Sequence, residues 1–304
     1  MSTILVTTPT GQIGSRVVND ALAAGAIVRA FVRDPARLDP AVRALVDVRT
    51  GSLDDSDALA RAMDGADAAF VLVPPNYTAA DWPAAMRAVG RAAEQAAVRA
   101  GLPRLVFLSS MGAHRDDLGP VTTLGEIEAA LRAARPHVVA LRPAYFFENA
   151  LAAIPTITQA GAIFGNFDPD LAFPQVATRD IGAVAVRWLL DPTWQGHHVA
   201  GVHGPRDLAM GELADLAGEA LGRPVRYVPV PLDAVAAALP ATGMTPSVVD
   251  GYRALLGGLA ASRFERPEAR TRETTTPTEF AAWARLALRP AFDASGAAMQ
   301  PAGV

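Results

Sequence analysis

The segment that follows residues Ile4–Val6 has the spacing of a nucleotide-binding turn. In a G-x-x-G-x-x-G pattern, the three glycine positions hold Thr8, Gly11 and Gly14. Such a turn between a strand and a helix binds a pyrophosphate through backbone N–H groups and the positive end of the helix dipole. Because Thr8 precedes Pro9, we expect an extended backbone at Thr8, and Pro9 has no N–H to donate. The N–H groups from Gly11 to Gly14 must then hold the phosphates, and the missing bond costs about 1.5–3 kcal/mol.

Charged residues follow the predicted strand Ile27–Val32. An acidic residue about 20 positions beyond a glycine-rich turn favours the ribose hydroxyls of NAD, whereas a nearby arginine accepts the additional phosphate of NADP. Here Arg33 and Asp34 are adjacent, and Arg37 lies close behind. The two signals conflict, and the alternative without a ligand is a solvated turn at Asp34 and Pro35.

The strand predicted over Ala69–Val73 ends in two prolines, Pro74 and Pro75. Prolines end both the hydrogen-bond ladder of a strand and any helix that would follow at once. Open α/β sheets bind ligands at the carboxyl ends of their strands. Asn76 and Tyr77 would lie there, either against a nicotinamide or substrate or in a plain connector.

The next strand delivers Ser109 to the same edge of the sheet, with His114 in the loop behind it. In dehydrogenases of this general shape, a serine here polarises a substrate carbonyl together with a tyrosine and a lysine further along the chain. Pro120 and Leu124 occupy the expected tyrosine and lysine positions, and neither can move a proton. Tyrosine-dependent carbonyl reduction is therefore disfavoured. His114 is a candidate for proton transfer, with a surface loop histidine as the alternative.

An aromatic run follows the strand predicted over Val138–Leu141, in the segment "LRPAYFFENAL". Three consecutive rings at the ligand edge suit a flat apolar substrate, although at least one of them must pack in the core. Candidates for proton transfer or substrate orientation here are Tyr145, Glu148 and Asn149. The candidate substrate contacts as a set are Asn76, Tyr77, Met111, Tyr145, Phe146, Phe147 and Asn149.

Strands and helices must alternate to bring these residues together. Short apolar runs separated by helical patterns predict an α/β protein with a Rossmann-type, doubly wound parallel sheet and a small C-terminal α+β lobe. We expect a dinucleotide-binding domain over residues 1–150, completed by 180–203. A substrate-binding lobe is expected over 151–179 and 204–292, and a mobile tail over 293–304. Asp180 is predicted to cap the helix in the segment "TRDIGAVAVRWLL".

Composition narrows the classes of function. The 304-residue chain is 51% hydrophobic, has a net charge of −4 and contains no cysteine. The charge gives no general attraction to nucleic acid, and the lack of cysteine excludes disulfides, thiol nucleophiles and thiolate metal sites. No metal site is predicted from the five histidines. We expect a soluble cytoplasmic protein with no membrane or nucleic-acid partner, either a monomer or a homodimer.

Taken together, the motifs resemble the NmrA-like branch of the atypical short-chain dehydrogenase/reductase superfamily. The similar segments run in order along nearly the whole chain: "TGQIG", "VRDP", "GSLDD", "LSSMGA", "LRPAYFFEN" and "PTEFAAWA". The resemblance implies NADPH, or NADH in its place, as the cofactor. The cofactor contacts that it implies are Thr8, Thr10, Gly11, Gln12, Ile13, Gly14, Arg33, Ser52, Leu53, Val73, Pro74, Pro75 and Ser109. Thr8 and Pro9 replace the usual Gly-Ala, and Ser52 stands where an Asp often holds the adenine.

Two hypotheses of function follow. The first is an NAD(P)H-dependent oxidoreductase that reduces a flat conjugated molecule, of quinone, enone, azo or imine type, by direct hydride transfer. The second is a redox-neutral member of the same fold, either a nucleotide-sensing regulator or a cofactor-independent isomerase, cyclase or dehydratase. The weakened turn and Ser52 favour the second hypothesis, and the turn, Arg33 and the aromatic run favour the first.

Overall fold

A computed structural model describes residues 1–298 of the chain. Its elements follow in chain order: β1 (Thr3–Thr7), α1 (Gln12–Ala23), β2 (Ile27–Val32), α2 (Pro40–Arg43), β3 (Asp47–Thr50), α3 (Ser56–Met63), β4 (Ala68–Leu72), α4 (Trp82–Arg99), β5 (Arg104–Leu108), α5 (Pro120–Ala134), β6 (Val138–Pro143), β7 (Tyr145–Phe146), α6 (Ile154–Ala160), β8 (Ala162–Gly165), β9 (Phe173–Val176), α7 (Thr178–Leu190), β10 (His197–Val202), β11 (Asp207–Leu208), α8 (Met210–Leu221), β12 (Arg226–Pro229), α9 (Leu232–Ala238), α10 (Pro246–Ala261), α11 (Phe280–Trp283) and α12 (Arg289–Ala298). A π-helical segment, Ala284–Leu288, joins α11 to α12.

The main sheet has seven parallel strands in the order β10-β6-β5-β4-β1-β2-β3. Helices α1 and α7 pack together on one face, and α3, α4 and α5 form the other layer. The central strands are buried on both faces and consist mainly of aliphatic residues and phenylalanine, as a parallel sheet between two helix layers requires. This arrangement confirms the predicted doubly wound α/β fold. The strand order reverses between β1 and β4, which is where such folds bind ligands.

The C-terminal lobe contains two small sheets, β11-β9-β7 and β12-β8, with helices α6 and α8 to α12 around them. Its core includes an aromatic group in which Phe147 packs edge-on against Phe280 and lies beside Trp283. The predicted mobile tail begins inside α12, so residues 293–298 are helical. The rest of that tail lies outside the described residues.

Asp180 does not cap α7 as predicted. It lies within the first turn of α7, and its carboxylate accepts hydrogen bonds from the N–H (3.0 Å) and hydroxyl (2.7 Å) of Thr278. An acidic residue in the first turn still complements the helix dipole. Its contact with Thr278 joins the main sheet's helix layer to the C-terminal lobe.

Candidate active site

The turn after β1 has the geometry of a nucleotide-binding turn, although its first glycine is replaced. Thr8 has a φ of +55°, so the extended backbone expected from the proline that follows is wrong. The carbonyl of Thr8 accepts the Gly11 N–H at 3.0 Å. A Cβ at Gly14 would lie 2.1 Å from the same carbonyl oxygen. The turn and α1 therefore pack closely enough to hold Thr8 in a left-handed conformation that costs about 1–2 kcal/mol outside glycine.

The N-terminus of α1 is free to bind an anion. Helices α3 and α4 are capped by the residues before them, Asp55 and Asp81, whose carboxylates accept N–H groups of the first turn. At α1, Gly11 provides no side-chain cap, and the N–H groups of Gln12 and Ile13 have no acceptor within the helix. The Gly11 N–H, predicted to hold phosphate, instead binds Thr8. These residues fit a pyrophosphate, because the N–H groups without an acceptor, the positive end of the helix dipole and the backbone of the glycines lie together there.

Arg33 extends from the end of β2 beside this turn. It is exposed, and within residues 1–298 it has no ion-pair or hydrogen-bond partner. The neighbouring Asp34 carboxylate is engaged, because it accepts the Ala36 N–H at 2.9 Å and caps a 3-10 turn. The conflict between the two charges is thereby reduced: the arginine remains available for a phosphate, and the carboxylate has a structural role.

The parallel strands bring the other predicted cofactor residues to the same edge. Ser52 is exposed beyond β3, while Leu53 is half-buried against the core beneath α3 and α4. Val73 and Pro74 are half-buried beyond β4, and Pro75 is exposed. Together with Thr10, which is also exposed, they lie beyond the carboxyl ends of strands β1, β3 and β4.

Beyond β5, the side chains are less accessible. Ser109 is buried, and its hydroxyl donates to the carboxylate of Glu128 at 3.0 Å. Its proton is therefore not available to a substrate, and any cofactor contact would have to come from other atoms of the residue. Met111 is buried, and its N–H binds the Pro143 carbonyl. His114 lies exposed in the loop.

The aromatic run after β6 divides between cleft and core. Tyr145 is half-buried and packs edge-on against Phe167 and Phe173. Burial raises the pKa of Tyr145 to about 12, the nearby Tyr227 adds to the rise, and a hydrogen bond with Asn149 opposes it. Asn149 is exposed, and Phe146 is half-buried.

Two residues of this run are structural, in contrast to the prediction. Phe147 is 1% exposed and packs in the lobe's core, so it cannot line a substrate cleft. The Glu148 carboxylate accepts the N–H (3.1 Å) and hydroxyl (2.8 Å) of Thr178, at the start of α7. It also accepts the indole N–H of Trp283 at 2.9 Å. Through these bonds, Glu148 connects the helix layer of the main sheet to the lobe, and its role is structural rather than that of a proton donor.

Sequence reasoning missed Tyr252. This residue lies on α10, where its ring stacks on Trp82 with centroids 5.4 Å apart and planes 19° apart. Its hydroxyl donates to the Tyr77 hydroxyl at 3.3 Å. The sequence signal was the small residue Gly251 before it, which allows α10 to approach α4 closely.

Comparison with known proteins decides the family. The model of the NmrA-like family matches residues 1–250. The chain belongs to the NmrA-like family.

Two relatives and one solved structure show how far the likeness of this NmrA-like chain extends. It is 32% identical over 259 residues to an NAD(P)H azoreductase from Xenophilus azovorans, covering 83% of this chain and 85% of the relative. It is 34% identical over 252 residues to a (4-alkanoyl-5-oxo-2,5-dihydrofuran-3-yl)methyl phosphate reductase from Streptomyces griseus, covering 82% and 84%. The structure of the quinone oxidoreductase QOR2 from Escherichia coli, complexed with NADPH, superposes with a TM-score of 0.78 at 23% identity over 94% of this chain and 99% of that chain.

Two other depressions in this NmrA-like chain, of about 350 and 510 Å³, lie on the lobe. They share residues 223–225, between α8 and β12, and are open to solvent.

Across the described residues, no three His, Asp or Glu side chains are grouped to hold a metal ion. No helix within residues 1–298 has both the length and the apolar character to cross a membrane.

Proposed function

We propose that this protein is an NADPH-dependent reductase that transfers hydride directly to a flat, conjugated small molecule. The observation that carries the proposal is the pairing of two open groups at one edge of the sheet: the N-terminus of α1, which has no side-chain cap, and Arg33, which has no partner within residues 1–298. One suits a pyrophosphate and the other the phosphate that distinguishes NADPH from NADH. Membership of the NmrA-like family and two reductase relatives that cover more than four-fifths of the chain support the same reading.

The cofactor would lie across β1, β2 and β4. Gln12 and Ile13 would bind the pyrophosphate through their N–H groups, and Arg33 would bind the adenosine phosphate. Gly11 and Gly14 would let the backbone approach closely. Contacts along the remainder of the cofactor would come from Thr8, Thr10, Ser52, Leu53, Val73, Pro74, Pro75 and Ser109. When bound, the cofactor supplies the hydride, and the chain supplies position and a site with little water.

The substrate would bind where the loop after β4 meets the lobe. Aromatic and amide groups there offer flat apolar surface with a few polar atoms to orient a conjugated ring system. The azo, quinone and dihydrofuranone compounds in the names of similar proteins share conjugation with an electron-poor carbon or nitrogen. The proposed substrate contacts are Asn76, Tyr77, Met111, Tyr145, Phe146 and Asn149, without Phe147.

Calorimetric titration of NADPH and NADH into wild type and Arg33→Ala tests the cofactor site. Loss of one charge-assisted hydrogen bond costs about 1.5–3 kcal/mol, so we expect the NADPH Kd to rise roughly ten- to a hundredfold and the NADH Kd to change little. Arg91→Ala, on the exposed side of α4, is the matched control and should leave both constants unchanged.

Equal loss of both nucleotides in Arg33→Ala would contradict the assignment of the phosphate. Wild type that binds neither nucleotide at millimolar concentration would favour the redox-neutral alternative. Oxidation of NADPH with a panel of quinones, azo dyes and imines then tests the reductase activity itself.

A further inference from the structure

A pair of tyrosine hydroxyls lies beside the proposed substrate position. Tyr77 belongs to the loop after β4 and Tyr252 to α10, and their oxygen atoms are 3.3 Å apart. Their ring centroids are 6.2 Å apart, and each also lies beside Trp82. Tyr77 is 40% exposed, and Tyr252 is half-buried. The pair therefore connects the less exposed of the two tyrosines to one that contacts water.

The chain fixes this pair through backbone contacts. The Thr245 N–H donates to the Tyr77 carbonyl at 3.2 Å, and its hydroxyl donates to the Ala79 carbonyl at 2.6 Å. The Trp82 N–H donates to the Ser247 hydroxyl at 3.0 Å. Thus the N-terminal end of α10 is bound to both ends of the loop that carries Tyr77.

Packing further along α10 also places Tyr252 closely. A Cβ at Gly251 would lie 2.8 Å from the Trp82 ring. Only a glycine there allows the neighbouring tyrosine to stack flat on the indole. The position of the Tyr252 hydroxyl is thus determined by the contact between two elements, one from the main domain and one from the lobe.

The groups that commonly protonate a substrate at this edge are absent or engaged. Pro120 and Leu124 stand in the tyrosine and lysine positions. The Ser109 hydroxyl donates a hydrogen bond to Glu128, and the Glu148 carboxylate accepts hydrogen bonds from Thr178 and Trp283. Yet reduction of a quinone, enone or azo group by hydride leaves an anion on oxygen or nitrogen that must gain a proton.

Tyr145 and Tyr252 are the tyrosine candidates for this proton, and their surroundings differ. The Tyr145 hydroxyl interacts with Asn149, which has no proton to relay at neutral pH. The Tyr252 hydroxyl has another hydroxyl as its partner. Burial raises the pKa of Tyr252, and the bond to Tyr77 and the nearby Tyr145 raise it further, so the hydroxyl keeps its proton until a stronger base forms beside it.

We propose that Tyr252 donates the proton in the reduction and that Tyr77 relays a replacement from water. This inference rests on the proposed function and names its proton donor. Hydride from the dihydronicotinamide adds to an electrophilic carbon or nitrogen of the acceptor, and the π-electron pair moves to the conjugated oxygen or nitrogen. That atom takes the proton of Tyr252, the tyrosinate takes the proton of Tyr77, and Tyr77 regains one from water. The substrate gains two electrons and two hydrogens, and NADPH becomes NADP⁺.

Substitution of single hydroxyls tests the relay with the full-length protein, NADPH and a quinone or azo dye from the panel. In Tyr252→Phe the ring still stacks on Trp82, so we expect kcat to fall about a hundredfold or more while the NADPH Kd stays within twofold. Tyr77→Phe leaves the donor but interrupts its reprotonation, so a smaller fall in kcat and a changed solvent deuterium isotope effect are expected. In Tyr145→Phe, kcat should fall less than tenfold.

Chemical rescue separates proton donation from a structural role. Phenol reproduces the ring and hydroxyl removed in Tyr252→Ala, and we expect it to restore part of kcat in proportion to its concentration. Wild-type turnover in Tyr252→Phe, or a larger loss in Tyr145→Phe than in Tyr252→Phe, would overturn the assignment of the donor. Failure of the wild type to bind NADPH would instead overturn the proposed function, and calorimetry on the same samples distinguishes these results.

Discussion

The two halves of the main sheet's carboxyl edge contrast sharply. Beyond β1, β2 and β4, polar groups such as Arg33 and the N–H of Gln12 face solvent without protein partners in the described chain. Beyond β5, β6 and β10, several charged and polar residues are instead buried and paired. Arg142 lies between two carboxylates, Glu128 at 2.9 Å and Glu268 at 2.7 Å. An α/β sheet offers a ligand crevice along its edge, and here the chain covers one half and leaves the other open.

A single stretch of chain covers the second half. Residues 262–279, the closing segment, run from α10 to α11 over the end of β10. The His203 N–H donates to the Thr274 carbonyl, and the Thr276 N–H donates to the His203 carbonyl, both at 2.8 Å. Arg266 and Arg270 in this segment pair with Asp207. The exposed donors described above, the Gln12 N–H and Arg33, lie on the open half, where we propose the cofactor site.

Removal of Arg142 should give the largest effect on the covered half. Arg142→Ala leaves Glu128 and Glu268, with side chains 3% and 7% exposed, buried without their common partner. A broken buried ion pair costs about 3–5 kcal/mol, and urea unfolding measures that loss. The exposed pair Arg87–Glu126 is the control, and Arg87→Ala should cost less than about 1 kcal/mol. Equal losses of unfolding free energy in the two variants would show that the carboxylates on the covered half are solvated as well as those at the surface.

Low pH should also lower the free energy of unfolding, through the buried His203 on the covered half. This residue is 0% exposed, and within residues 1–298 neither ring nitrogen has a hydrogen-bond partner. Burial lowers its pKa from 6.5 to about 4, Arg266 and Arg270 lower it further, and Asp207 opposes them. The unfolded chain therefore binds the proton more readily, so the free energy of unfolding falls as the pH drops from about 6.5 to 4.

Over that interval, the contribution of His203 amounts to about 3 kcal/mol. Unfolding in urea at pH 7 and pH 4.5 should show a smaller acid-induced loss for His203→Leu than for wild type. The same substitution at His114, an exposed loop residue, is the control. An unchanged pH dependence in His203→Leu would mean that the imidazole reaches solvent when protonated.

On the open half, two glycines of one turn should respond differently. A Cβ at Gly14 meets the Thr8 carbonyl at 2.1 Å, so Gly14→Ala must displace backbone and should cost about 1–3 kcal/mol. At Gly11 the same oxygen would lie 3.4 Å away, an ordinary contact. Gly11→Ala should therefore fold with little change in Tm and lose affinity for NADPH alone. Thermal melts with and without NADPH test this, and equal Tm losses in the two variants would contradict it.

The sequence permitted prediction of the sheet but not of how the edge is divided. Strands such as Ile4–Val6 and the turn residues that follow them are local signals, and the parallel fold follows from their alternation. The conformation of Thr8 was predicted wrongly because a contact with Gly14 outweighs the local effect of proline. Arg142 and Glu268 are 126 residues apart, and no periodicity links them. Tyr252 lies in an ordinary helical pattern, and the significance of Gly251 before it becomes clear only from the packing of α10 on Trp82.

The pair Thr8 and Pro9 has a consequence for the energetics of ligand capture. Glycine would allow the empty turn many conformations, whereas a threonine followed by the fixed ring of proline allows few. Most of the conformational entropy of this turn is then lost when the protein folds, not when a ligand arrives. The turn gives up one hydrogen-bond donor and gains preorganisation, so a cofactor would meet a binding surface that is already rigid.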